Sequence, residues 1–312
     1  MLRRLLLPLM LLSLLPVPAA AQKMIALSFD DVPRGRGAFL TPEERTKRII
    51  AELKRAKAPQ AVFFVNPCRI GTGDGVGGAE RIAAYVAAGH VIANHSCTHP
   101  HLNATTAEAY LADIDAAEAW LKSQPGHRPS FRFPFLDEGG RDKAKRDALR
   151  AGLAARGLRN GYVTAESSDW RLEALAADAV REGKAVDRKA LGSLYVRWHV
   201  EAADFADGLM QQAIGRQPVH MMLLHETDLA ALHIGDLVRA LRKGGWTIVS
   251  ADAAYADPIG TLMPDTPAAN GTLTEALAWE KGLPAPRWYR YNEEAPAIAK
   301  FRAKALHEGA GK

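Results

Sequence analysis

The stretch Met24-Ile25-Ala26-Leu27-Ser28-Phe29-Asp30-Asp31-Val32-Pro33 opens with an apolar run of strand length and ends in two adjacent carboxylates. Residues 24–29 read as the first strand. Thr41-Pro42-Glu43-Glu44 then starts a helix: Thr caps, Pro suits the first turn, and Glu44 closes a capping box. Ile49, Ile50 and Leu53 share one face of that helix. The alternation recurs outward from here. Strands are expected at 61–65, 90–93, 131–133, 162–164, 219–224 and 247–249. Helices are expected at 80–88, 107–121, 143–155, across much of 172–212, and at 229–242. Strands alternating with helices pair mostly in parallel, with the helices outside. Seven such units predict an α/β fold, a closed or partly closed β/α barrel, with an open doubly wound sheet as the alternative. After residue 256 the pattern gives way to Pro/Gly-rich sequence with helices at 273–281 and 296–306, read as a C-terminal extension (257–312) packed on the barrel (22–256). There are no internal repeats.

The composition, 48% hydrophobic and 24% charged over 312 residues, is that of a folded soluble protein; it excludes disordered, collagen-like and many-spanning membrane classes. Lys and Arg exceed Asp and Glu by 40 − 35 = +5, and no dense basic run marks a nucleic-acid or lipid surface. Residues 1–21 read as a signal peptide: Arg3 and Arg4, then 13 apolar residues (5–17), then small residues at Ala19 and Ala21, with Gln22 as the new N-terminus. Thirteen residues fall short of the roughly 20 that span a bilayer, and Pro8 and Pro16 weaken a span further. The expectation is export to a periplasmic or secreted location, with no stable membrane insertion after cleavage and a mature charge of +3 once Arg3 and Arg4 are lost. Export makes disulfides permissible. Cys68 and Cys97 are the only cysteines, so one bridge or two buried thiols are both open.

Chemistry-capable residues collect at one end of the expected strands. Asp30-Asp31 ends the first, His95 and His99 follow the third, Arg132 lies in the fourth, Asp169-Trp170 follows the fifth, and His225-Glu226 ends the sixth. In a β/α barrel those strand ends open on one face, where active sites lie. Each residue alone has a bland reading as a cap, surface charge or core histidine; five independent segments delivering such groups to one mouth argue for a site. His95-Ser96-Cys97-Thr98-His99 places two imidazoles where they can share a metal, and a carboxylate from Asp30 or Asp31 would complete a three-ligand set with positions open for water. That set suits catalytic zinc and also non-haem iron. One aspartate can ligate while its neighbour serves as base.

Five segments in order resemble the motifs of the polysaccharide deacetylases with a NodB homology domain, carbohydrate esterase family 4. They are Ser28-Phe29-Asp30-Asp31-Val32-Pro33, His95-Ser96-Cys97-Thr98-His99, Arg132-Phe133-Pro134-Phe135, Ser168-Asp169-Trp170 and Leu223-Leu224-His225. The resemblance covers about residues 24–256. It implies a distorted (β/α)7-type barrel and a divalent metal, zinc, bound by Asp31, His95 and His99. It further implies Asp30 as general base positioned by Arg132, and His225 as general acid. The Phe135 backbone N–H would hold the oxyanion, with Asp169, Trp170 and Leu223 lining the substrate pocket. The implied activity is removal of N- or O-linked acetyl groups from a glycan. Val32 stands where the family commonly has Gly, Phe135 replaces the usual Tyr, the loop after Phe135 is longer, and Glu166 occupies an acidic place normally held by Asp.

Weaker signals remain. Gly73-Asp74-Gly75-Val76-Gly77-Gly78 fits a GxGxxG pattern, but it starts well beyond residue 65 and lacks a ribose-binding acid, so it reads as a surface loop. His101 reads as a surface or hydrogen-bonding residue, and Glu226 as a solvated acid or an orienter of His225. Trp288, Tyr289 and Tyr291 could stack on sugar rings, though packing of the extension is the favoured reading. The competing functions are a non-catalytic glycan-binding barrel and a non-haem iron oxygenase. A mere binder needs no base–acid pair, and the second aspartate fits hydrolysis better than oxygen chemistry.

Overall fold

The computed structural model describes residues 22–306; the expected signal peptide and its cleavage point lie outside them. The elements follow in chain order: β1 (Met24–Val32), α1 (Pro42–Arg55), β2 (Val62–Val65), α2 (Gly78–Ala87), β3 (Val91–Asn94), α3 (Ala107–Leu121), β4 (His127–Phe131), β5 (Asp137–Gly140) and α4 (Lys143–Ala155). Then come β6 (Arg159–Asn160), α5 (Asp169–Arg181), α6 (Arg188–Ile214), β7 (Val219–His225), α7 (Asp228–Lys243), β8 (Thr247–Ile248), α8 (Ala251–Tyr255), β9 (Ala269–Asn270), α9 (Leu273–Glu280) and α10 (Glu294–Ala305). Seven strands form one parallel sheet in the order β6-β4-β3-β2-β1-β7, with β8 on β1. The segment 159–165 serves both edges. Its start pairs with β4, and Gly161 N–H donates to Phe131 O; farther on, Thr164 N–H donates to Met221 O and Leu223 N–H to Ala165 O. The curled sheet is thereby joined into a barrel of (β/α)7 type, as expected.

β1 is the hub. Its Ile25, Leu27 and Phe29 are buried in one cluster with Ile49 and Leu53 of α1 and Leu237 and Leu241 of α7. Phe29, Phe63 and Tyr85 stack at 4.8 and 3.9 Å between ring centroids. Thr41 and Glu44 form the expected capping box at α1.

Several boundaries differ from the sequence reading. β1 runs past residue 29 to Val32, because its ladder with β7 continues to Asp30↔His225. β4 lies at 127–131, not 131–133: its first half is polar and holds Pro129, which hides a strand from hydropathy, and the chain turns away at Pro134. The expected strand at 162–164 is no continuous ladder, since that segment divides its hydrogen bonds between two neighbours. The long helical stretch breaks into α5 and α6 around Gly183, which adopts φ 71°.

The extension packs tightly. Tyr291 stacks on Trp198 of α6 at 4.6 Å, and Tyr289, Tyr291 and Phe301 belong to the same buried cluster as β1. β9 pairs antiparallel with β5, joining the extension to the loop after Phe135. That ribbon was not legible, since Asp137-Glu138-Gly139-Gly140 has no strand character.

Cys68, just beyond β2, is disulfide-bonded to Cys97, just beyond β3, across a sequence separation of 29. Loop-closure entropy for a ring of that size corresponds to about 3.6 kcal/mol of stability. The Cys68→Ser/Cys97→Ser protein is expected to lose about that much in urea unfolding, and reductant should shift the parent protein but not the variant.

Candidate active site

In a regular strand Asp30 and Asp31 would face opposite sides of the sheet. β1 departs from that pattern. Its register with β2 shifts between Phe29 and Val32, and Asp31 takes φ 66°, so both carboxylates reach the barrel mouth. Among the described residues seven non-glycine residues have positive φ, and six of them lie at this mouth: Asp31, Ser96, His99, Phe135, Leu136 and Ser168. Each such conformation costs of order 1–3 kcal/mol for a non-glycine residue, a concentration of strain that marks a functional site.

Asp30 is buried and held by Arg132, whose Nη1 donates to Oδ1 at 2.9 Å and Oδ2 at 3.2 Å. The Arg132 Nη2 donates to Ser28 Oγ and Tyr255 OH, Nε donates to Gly161 O, and the guanidinium lies 4.2 Å from the Phe64 ring centroid. Burial alone would lower the pKa of Arg132; Asp30 and Tyr255 more than offset this and raise it, so the cation persists.

Asp31, His95 and His99 bring ligand atoms within 4.8 Å of one another. His95 Nδ1 lies 2.9 Å from the Arg132 carbonyl, which can only accept, so Nδ1 carries the proton and Nε2 keeps its lone pair. Asp31 Oδ1 sits 3.1 Å from His99 Nε2 and 3.5 Å from His95 Nε2, yet this buried oxygen makes no well-aligned hydrogen bond. An orphaned carboxylate oxygen facing two imidazole nitrogens fits a cation. Burial by itself would raise the Asp31 carboxyl, but the two imidazoles, His225 and Arg34 hold it well below the usual carboxylate range. The histidine loop is braced from behind. Asn94 Oδ1 accepts from Ser96 N–H, Ser96 Oγ from His99 N–H, and Asp113 from Cys97 N–H and Thr98 Oγ1–H.

His225 faces the same mouth, and the β1–β7 register sets it beside Asp30. Its Nδ1 lies 2.7 Å from Asp169 Oδ1, and its N–H donates to Asp169 Oδ2 at 2.9 Å. Burial would lower the imidazole, but the Asp169 carboxylate overrides it and raises the pKa to about 9. Sequence reasoning put Asp169 among the substrate-lining residues; its carboxylate instead orients His225. Glu226 does not orient His225: it turns away to accept from Tyr85 OH and Arg34 N–H. Glu166 accepts from Ser168 N–H and shapes the turn before Asp169.

Asp30, Asp31, His95, His99 and His225 open into one cleft of about 980 Å³, lined also by Phe135, Trp170 and Leu223, with Arg132 and Asp169 behind them. His101 stacks on Phe135 at 3.8 Å and stands outside the ligand cluster. Among the described residues of the glycine-rich segment 73–78, none lines the cleft. Tyr255, the second anchor of Arg132, carried no sequence signal, because it follows the last core strand in an ordinary short helix.

Residues 18–155 match the family model described as polysaccharide deacetylase, a span that holds the first three motifs. Among solved structures, a polysaccharide deacetylase from Bacillus cereus is 18% identical over 73% of this chain and 92% of that one, with a TM-score of 0.52. The chitin deacetylase of the fungal pathogen Colletotrichum lindemuthianum is 17% identical over 88% and 94%, also with a TM-score of 0.52. At these identities the structural likeness is one of fold. No curated protein matches the chain. The resemblance to the polysaccharide deacetylase family is thereby borne out.

Replacing Arg132 by Met strands a buried carboxylate at Asp30, which typically costs about 3–5 kcal/mol. Urea unfolding should show that loss, and adding Asp30→Asn should restore part of it; independent, additive effects would contradict the pairing.

Proposed function

We propose that the chain is a divalent-metal-dependent hydrolase that removes acetyl groups, N- or O-linked, from an exported or cell-wall glycan. The observation that carries the reading is the convergence on one cleft of Asp30 with Arg132 behind it, His225 with Asp169 behind it, and the Asp31/His95/His99 cluster. Zinc is the ion best suited to two imidazoles and a carboxylate with positions left open, and such an ion supplies a Lewis acid that acidifies water and polarises the acetyl carbonyl. Asp31 Oδ1 and the two Nε2 atoms would hold it.

The chain's own groups do the rest. Asp30, fixed by Arg132, accepts the proton from the attacking water. His225, kept protonated and oriented by Asp169, gives its Nε2 proton to the departing amine or alcohol. The Phe135 N–H offers a donor to the developing oxyanion; one such preorganised donor is typically worth roughly 3 kcal/mol. Trp170 and Leu223 give the acetyl methyl an apolar wall. All these groups belong to residues 22–256, and residues of the extension between 266 and 293 line one side of the cleft. A glycan binder would need neither the Asp30–Arg132 pair nor the His225–Asp169 pair. Among the described residues no helix is long and apolar enough to cross a membrane. Export to the periplasm or medium remains the expectation from residues 1–21.

Zinc-loaded protein should release acetate from acetylated chitooligosaccharide, peptidoglycan or xylan, and chelation should abolish this. Asp30→Asn should lower turnover by about 10²–10⁴-fold while metal content by elemental analysis is retained. If no substrate loses acetate and the same variant still binds glycan, the binding-module reading replaces this one.

Asp169→Asn removes the group that raises His225 while leaving its burial in place. The alkaline limb of the kcat profile should therefore move to lower pH; an unmoved limb would exclude His225 as the acid.

A further inference from the structure

The cleft extends well beyond the acid–base groups, and its far wall belongs to the extension. Among the described residues the large aromatic side chains counted as exposed are Phe135 (52%), Trp170 (43%), Trp279 (41%) and Trp288 (38%), and all four line this one cleft. The extension's other aromatics are hidden: Tyr289, Tyr291 and Phe301 pack into the core. The extension therefore sorts its aromatics, with three anchoring it and two facing the cavity. Leaving tryptophans open to water forgoes their burial energy, and a concave surface that gathers them is a recognition surface.

The two tryptophans are held in place. Trp279 lies near the end of α9, which packs on α6, and Trp288 Nε1 donates to Glu293 Oε1 at 2.8 Å. The wall is also tied to the catalytic loops. Thr274 Oγ1 donates to Thr164 O at 2.7 Å, Asn292 Nδ2 to Glu166 O at 3.2 Å, and Gly271 N–H to Leu136 O at 3.0 Å. These contacts hold Trp279 and Trp288 in a fixed relation to the segments that carry Asp169 and Phe135.

We infer that Trp279 and Trp288 form a sugar-stacking platform for pyranose units flanking the acetylated residue at the acid–base groups. This rests on the deacetylase reading of the cleft and adds the two residues that make it prefer a chain of pyranoses several units long to a single acetylated sugar. Two features select that occupant. Pyranose faces are apolar C–H surfaces with polar edges, matching flat indoles in a cleft that also presents the amides of Asn270 and Asn292. A volume of 980 Å³ lies at the upper end for ligand sites and exceeds what one sugar fills.

The test uses the full chain and N-acetylated chitooligosaccharides from dimer to hexamer. Binding is followed by calorimetry on metal-free protein, and kcat/KM on zinc-loaded protein. In the parent protein the hexamer should bind at least tenfold tighter than the dimer, and kcat/KM should rise with length. Trp279→Ala and Trp288→Ala should each reduce the hexamer-to-dimer ratio several-fold. Trp279→Leu, which keeps apolar bulk without a planar face, should do the same, and unchanged thermal melting separates the effect from misfolding. Equal affinity for dimer and hexamer in the parent, or an unchanged ratio in all three variants, overturns the platform. Because the calorimetry needs no turnover, length-dependent binding without acetate release would fault the deacetylase reading and leave the platform standing.

Discussion

The guanidinium of Arg132, almost wholly buried inside the barrel, donates to groups from three separate parts of the chain: Asp30 and Ser28 on β1, the Gly161 carbonyl on the segment that joins the sheet edges, and Tyr255 on α8. A cation taken this far from water costs several kcal/mol unless its donors are met, and here all three nitrogens are. The same residue's carbonyl fixes the tautomer of His95. Barrel closure, the carboxylate proposed as base and the orientation of one proposed ligand thus depend on a single side chain and its peptide. Ser28 carries the connection on, donating to Met222 O on β7, the strand that ends in His225.

Two adjacent aspartates are given different environments by a local break in strand geometry. Asp30 keeps β1 pairing and meets Arg132; Asp31 takes a left-handed conformation and meets the imidazoles. One carboxylate is neutralised by a buried cation, and the other is left with an unpartnered oxygen. Neighbours in sequence become chemically distinct groups for that reason. The histidine loop shows the same economy: Ser96 and His99 in positive φ, Asn94 and Asp113 accepting its N–H groups, and a disulfide at Cys97 leave it little freedom. A preorganised site of this kind avoids rearrangement when charge develops.

The extension is part of the cleft as much as of the scaffold. Its buried tyrosines secure it to α6, while β9 pairs with the loop after Phe135 and so couples the longer loop to the far wall. The departure from the family pattern at that loop thereby has a structural partner within the same chain.

Much was legible before any coordinates. The alternation of apolar runs and amphipathic helices pointed to a parallel α/β fold, a barrel or an open doubly wound sheet, because buried strands and one-faced helices admit few other arrangements; the hydrogen bonds of 159–165 to both neighbours decided for the barrel. Polar residues closing those runs marked the mouth, and the His-x3-His spacing marked two imidazoles that could share an ion. The polar half of β4, the division of 159–165 between two neighbours and the β5–β9 ribbon were not legible, since each is defined by a distant partner and not by its own residues. The same holds for the role of Asp169, whose carboxylate meets His225 across 56 residues of chain, and for Tyr255 behind Arg132. Local sequence decided which segments could be strands and which groups could do chemistry. Tertiary structure alone decided which carboxylate meets which cation and which tryptophans face the cleft, because those are matters of distance and burial between segments far apart in the chain.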